Sequence, residues 1–125
     1  MIVLDASAIL CVLFEEPGAD RVLAVGQGAF VSAVNLSEAL TKAIDNGVPE
    51  AIRVAGISAM SLNIVGFDAE SAVEAAGLRS ATRQFGLSLG DRACLALAQR
   101  LRATVLTTDR IWSKLDIGVR VELLR

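Results

Sequence analysis

Four acidic residues stand where a carboxylate needs a reason. Asp5 ends the apolar run MIVL just before a second one, Ala8 to Phe14, and Glu38 sits among Leu36, Ala39 and Leu40. Asp91 opens the apolar stretch that runs to Leu101, and Asp109 directly follows TVLTT. Like charges brought close together cannot all stay ionised unless a cation intervenes. Carboxylate oxygens match hard divalent ions, magnesium or manganese. Two such ions about 4 Å apart can stabilise the attacking and leaving oxygens of a phosphodiester displacement, and a bound ion acidifies its own water. Ser7, two residues after Asp5, and Thr108, beside Asp109, are placed to hydrogen-bond the acids or the metal's waters. Asn35, three residues before Glu38, shares its helix face.

Each acid also has a plainer reading. Asp5 and Asp91 stand at helix starts, where capping and the macrodipole favour Asp. Asp109 could simply open the turn before Trp112. Ser7 as a cap and Thr108 as an ordinary strand residue are equally natural. Glu38 is harder to dismiss, because an unpaired acid on a half-buried helix is costly.

Whether the four meet depends on the elements that carry them. Strands are expected at Met1 to Leu4, Ala29 to Val31, Asn63 to Gly66, Thr104 to Thr108 and Val119 to Leu123. Helices are expected at Ser7 to Phe14, Ala19 to Gly26, Ala33 to Ile44, Pro49 to Met60, Ala69 to Arg83 and Asp91 to Leu101, with Ser32 and Asp68 as N-caps. Strands alternating with helices predict an α/β domain, a mainly parallel central sheet flanked by helices. Loops after parallel strands share one edge, where such sheets bind ligands. Asp5 and Asp109 follow strands and fall on that edge. The helix from Asp91 runs opposite to the strand it feeds, so Asp91 returns to the same edge, and Glu38 lies about one turn below it.

Composition narrows the chemistry. The 125 residues suit one domain, 1–125, without repeats or linkers. The chain has no histidine and only two cysteines, Cys11 and Cys94, both in apolar helical patterns. Zinc sites and histidine bases are thereby excluded, and reduced thiols in a cytoplasmic protein are expected. Hydrophobic residues make up 54% and the mean hydropathy is +0.56, yet no apolar run reaches the roughly 18 residues of a membrane span. The surplus suggests an apolar contact with a partner. The net charge of −2 argues mildly against a nucleic-acid ligand, although ten of the twelve basic residues are arginine, suited to phosphate.

MIVLDASAIL, SAVNLSEAL, LSLGDRACLALA and VLTTDRIWSKL, in this order, resemble PIN domains, and among them the VapC-type toxin ribonucleases of toxin–antitoxin pairs. The resemblance runs from Met1 to the closing GVRVELLR. It implies a PIN-like fold and a magnesium- or manganese-dependent endoribonuclease neutralised by a cognate antitoxin and commonly dimeric. Asp5 and Asp91 would be the principal metal ligands, Glu38 would hold a second ion or position water, and Asp109 would complete the quartet. Ser7, Asn35 and Thr108 match the polar positions beside these acids. Arg92, Arg110, Arg79 and Arg83 are the candidate RNA contacts, the last two sharing one helix face, with pairing to acids the duller explanation of any one of them. Trp112 could stack on a base but better suits packing the last loop onto the core.

A catalytically idle PIN-fold domain that binds RNA or protein is the competing reading, and it predicts loss of a carboxylate, whereas all four are here. An Asp-nucleophile phosphatase would need a second Asp two residues after Asp5, where Ser7 stands. A receiver domain would need a lysine after the late strand, which ends in TTDR. No GxxxxGK[ST] loop exists for a P-loop enzyme.

Overall fold

The short apolar runs assemble into a five-stranded sheet, wholly parallel, in a computed structural model that describes all 125 residues. The strands are β1 (Ile2–Leu4), β2 (Phe30–Ser32), β3 (Asn63–Val65), β4 (Thr104–Thr107) and β5 (Arg120–Leu123), in the order β3-β2-β1-β4-β5. Seven helices surround it: α1 (Ala6–Leu13), α2 (Ala19–Val25), α3 (Ala33–Asp45), α4 (Glu50–Met60), α5 (Ala69–Gly77), α6 (Arg79–Thr82) and α7 (Leu89–Leu101). Two 3-10 turns, Arg83–Phe85 and Arg110–Lys114, complete the chain. The α/β fold expected from the sequence is the fold observed.

The central strands are apolar on both faces, as a parallel sheet covered on both sides requires. Val3 and Val105 point into one layer, packed with α7, Ala75, Leu78 and Trp112. Leu4 and Leu106, one residue on, point into the other, against Ile9, Val22, Ala39 and Met60. Trp112 is 1% exposed and packs the last loop onto the core. No helix is long and apolar enough to cross a membrane.

Two local expectations are corrected. The helix expected over Ala69 to Arg83 breaks after Gly77, where the Leu78 N–H donates to the Ala75 carbonyl three residues back and the Leu78 side chain turns into the core. Arg79 and Arg83 therefore do not lie on one continuous helix: Arg79 opens α6 and Arg83 opens a 3-10 turn. The helix expected to begin at Asp91 begins at Leu89 instead. Ser88 is its N-cap and Asp91 closes a reciprocal capping box, Ser88 Oγ accepting from the Asp91 N–H at 3.2 Å and Asp91 Oδ2 from the Ser88 N–H at 3.0 Å. Ser32 and Asp68 cap α3 and α5 as expected.

Candidate active site

Asp5 leaves β1 at the carboxyl edge of the sheet, its N–H bonded to the Leu106 carbonyl of β4 at 3.1 Å. It is 6% exposed and makes no side-chain cap to α1. Its Oδ2 accepts from the Ser7 hydroxyl at 2.8 Å and from the Thr107 hydroxyl at 2.9 Å. Ser7 Oγ in turn accepts the Thr108 N–H and Thr107 Oγ1 the Asp109 N–H, each at 3.0 Å. Two hydroxyls thus bind the loop carrying Asp109 to Asp5. Ser7 is where the sequence put it. The hydroxyl expected from Thr108 comes from Thr107 instead, and Thr108 contributes its backbone N–H. The register explains this: Leu4 pairs with Leu106, so Asp5 lies opposite Thr107, and Thr108 projects to the other face.

Burial raises the Asp5 carboxyl to about 6, with the Ser7 and Thr107 hydrogen bonds opposing the rise and the charge of Asp91 adding to it. Glu38 is also raised, first by desolvation and then by Asp91, against a hydrogen bond from Asn35. The fully buried Cys94 thiol is raised well above its ordinary value by burial and by the charges of Asp5, Asp91 and Glu38 together. Asp91 therefore acts on both Asp5 and Glu38, and all three, from distant parts of the chain, act on Cys94. Asp109 is not among the charges acting on them; its Oδ1 caps the last 3-10 turn by accepting from the Ile111 N–H at 3.0 Å. Asp109 joins the site through Thr107.

None of the four acids has a basic partner. The ion pairs are Arg21–Glu122, Arg100–Glu74, Arg120–Glu122 and Arg125–Glu16, none of which involves these acids. Of the candidate RNA contacts, Arg79, Arg83 and Arg110 are exposed and unpaired. Arg92 is not available in the same way. It is half-buried, with Nη1 donating to the Ala75 carbonyl at 3.1 Å. That bond seats the end of α5 against the first turn of α7.

The donor set has the chemistry of a hard divalent cation site: carboxylate oxygens without a basic partner, with no sulfur or imidazole donor at the surface. As the side chains stand, no three of them converge to hold one ion. Asp91 is turned into its own helix cap and Glu38 toward Asn35, whose Nδ2 donates to it at 3.1 Å. Asp91 Oδ1 accepts no hydrogen bond and remains available to a cation.

The chain belongs to the PIN domain family, which its residues 2–118 match. Among solved structures it is similar to a chain of a toxin–antitoxin complex from Klebsiella pneumoniae, with 23% identity and a TM-score of 0.72 over 100% of this chain and 98% of that one. It is similar also to Mycobacterium tuberculosis VapC20, a toxin that cleaves the sarcin–ricin loop, with 15% identity and a TM-score of 0.76 over 96% and 99%. A chain of VapBC2 from Rickettsia felis, bound to a DNA fragment from its promoter, gives 18% and 0.71 over 98% of each. At such identities the likeness is one of fold. No curated protein sequence is significantly similar.

Proposed function

We propose that this PIN domain is a metal-dependent endoribonuclease, the toxin of a type II toxin–antitoxin pair, held inactive by a cognate antitoxin. The observation that carries the reading is the group of Asp5, Glu38 and Asp91: electrostatically coupled, without any basic partner, at the carboxyl edge of a parallel sheet. Bound magnesium or manganese would supply charge neutralisation and an acidified water at the scissile phosphate. Asp5, Asp91 and Glu38 are its ligands in this reading, and Asp109 completes the quartet. Ser7 and Thr107 fix one oxygen of Asp5 and leave the other free of side-chain donors.

Arg79, Arg83 and Arg110 are exposed and outside every ion pair, so they are free to pair with phosphates despite the acidic net charge. The apolar surplus left on the surface, Ile52 and Val54 on α4 and Val73 on α5, gives an antitoxin and a second copy of the chain somewhere to bind. Ile52 borders a groove between α1 and α4 also lined by Val12, Phe14 and Val48. Such a toxin acts in the cytoplasm.

The test is cleavage of a mixed RNA pool by purified protein with manganese or magnesium, against chelator and against Asp5→Asn. Metal-dependent cleavage lost in the variant is expected. RNA binding without cleavage under any divalent ion would replace the nuclease by the idle binding domain.

A further inference from the structure

Gly90 is the second residue of α7, with no positive φ that would call for glycine. Its neighbour is what excludes a side chain. A Cβ built on Gly90 would lie well inside van der Waals contact with both Glu38 oxygens and the carbon between them, so the carboxylate would have to move aside. The Glu38 carboxylate, carried by α3, thus lies flat over the first turn of α7. Asn35 holds it there. Asn35 is 0% exposed, and its Nδ2 donates both to Glu38 Oε1 at 3.1 Å and to the Gly90 carbonyl at 2.8 Å. With two acceptors on one side, only this orientation of the amide is allowed. Its Oδ1 has no protein partner, so the amide is held through Nδ2 alone.

We propose that Gly90 and Asn35 are positioning residues for Glu38, forming a seat that holds its carboxylate against the turn carrying Asp91. The seat fixes Glu38 beside the residue that precedes Asp91, from which both acids can be turned toward one cation. The functional part of this inference rests on the nuclease reading; the seat itself does not. Alanine at position 90 removes the seat by volume alone, without touching any carboxylate.

The decisive comparison uses four proteins, wild type, Gly90→Ala, Glu38→Ala and the double variant, by thermal unfolding with and without manganese. Without Glu38 the three atoms nearest to a Cβ at position 90 are gone, and alanine is the better helix former. Gly90→Ala should then raise the midpoint of the Glu38→Ala protein by about 3 °C. In the wild-type background the same change should lower the midpoint and abolish the manganese-induced rise, as Glu38→Ala does. A Gly90→Ala protein too unstable to purify, restored by adding Glu38→Ala, is the same result in stronger form. An equal midpoint rise in both backgrounds, or an undiminished manganese response in Gly90→Ala, would overturn the proposal. If the wild type itself does not respond to manganese, the metal-dependent reading fails, and the metal-free comparison still decides the seat.

Discussion

Replacing Asp5 by asparagine should make the metal-free protein more stable and its metal response weaker. The carboxyl is raised from 3.8 to about 6 by burial first and by Asp91 as well. A rise of that size corresponds to roughly 3 kcal/mol carried by the ionised group at neutral pH. Asparagine is neutral and can present its oxygen to Ser7 and Thr107 as the carboxylate does. Its remaining NH2 leaves one geometry less well satisfied, so a net gain of about 1–2 kcal/mol, or about 4–8 °C in midpoint, is expected. The sign with pH follows from the same shift. The folded state holds the Asp5 proton more tightly than the unfolded chain, so protonation stabilises the fold. This contribution is fully present below about 3.8 and is lost as pH rises through about 6. Urea unfolding of wild type and variant at intervals between pH 4 and pH 7.5 should show their difference opening above about pH 4 and levelling off above about pH 6. Manganese at a hundredfold excess over its dissociation constant should then return roughly 2.7 kcal/mol to the wild type and little to the variant. A variant less stable than wild type at pH 7 without metal would refute the assignment of Asp5 as a buried, unpaired charge.

Thr107→Val should cost about 1–3 kcal/mol in urea unfolding, because it takes one of two donors from a buried carboxylate and an acceptor from the Asp109 N–H, whereas Thr108→Val should stay within about 0.5 kcal/mol. Arg83→Ala with Arg110→Ala should weaken RNA binding alike across sequences and flatten its salt dependence by about 0.7 for each phosphate no longer neutralised, measured by filter binding at several ionic strengths. Arg92→Ala should leave that slope unchanged and instead lower stability by about 1–2 kcal/mol through the missing bond to Ala75.

The architecture was legible because local signals and burial agree. Apolar runs of strand length alternate with helical patterns, and Ser32 and Asp68 mark helix starts whose caps form. The edge on which Asp5, Glu38, Asp91 and Asp109 gather followed from chain direction in a parallel sheet, which needs no coordinates. What the sequence hid depends on register. Thr107 and Thr108 are adjacent and chemically identical, and only the pairing of Leu4 with Leu106 selects which hydroxyl reaches Asp5. The Ser88 cap was readable as Ser-Leu-Gly-Asp, a serine three residues before an acid, but the apolar run starting beside Asp91 drew the helix start forward. Arg92 shows another limit: spacing puts it next to an acid, and only the packing of α5 on α7 reveals that its guanidinium bonds the Ala75 carbonyl. Gly90 carried no signal at all, since a glycine at ordinary helical φ is explained only by what lies over it.

Capping and chemistry are not alternatives at this edge. Asp91 is bonded to the Ser88 N–H, Asp109 to the Ile111 N–H and Glu38 to Asn35, so each of these acids has a donor when no cation is bound. Asp5 alone combines deep burial with donors that do not restore its ordinary pKa. The two principal acids should therefore answer oppositely to neutral substitution. Asp91→Ala removes half of a capping box and an acid from the first turn of α7, where the macrodipole favours it. It should destabilise the metal-free protein by about 1 kcal/mol, partly offset by the relief of Asp5 and Glu38. Asp5→Asn should stabilise it, and both should lose the manganese response. Metal-free urea unfolding at pH 7 separates the cases. A stability gain in both variants would mean that repulsion outweighs the cap at Asp91. A loss in both would mean that the fold depends on the ionised Asp5, which its raised proton affinity contradicts.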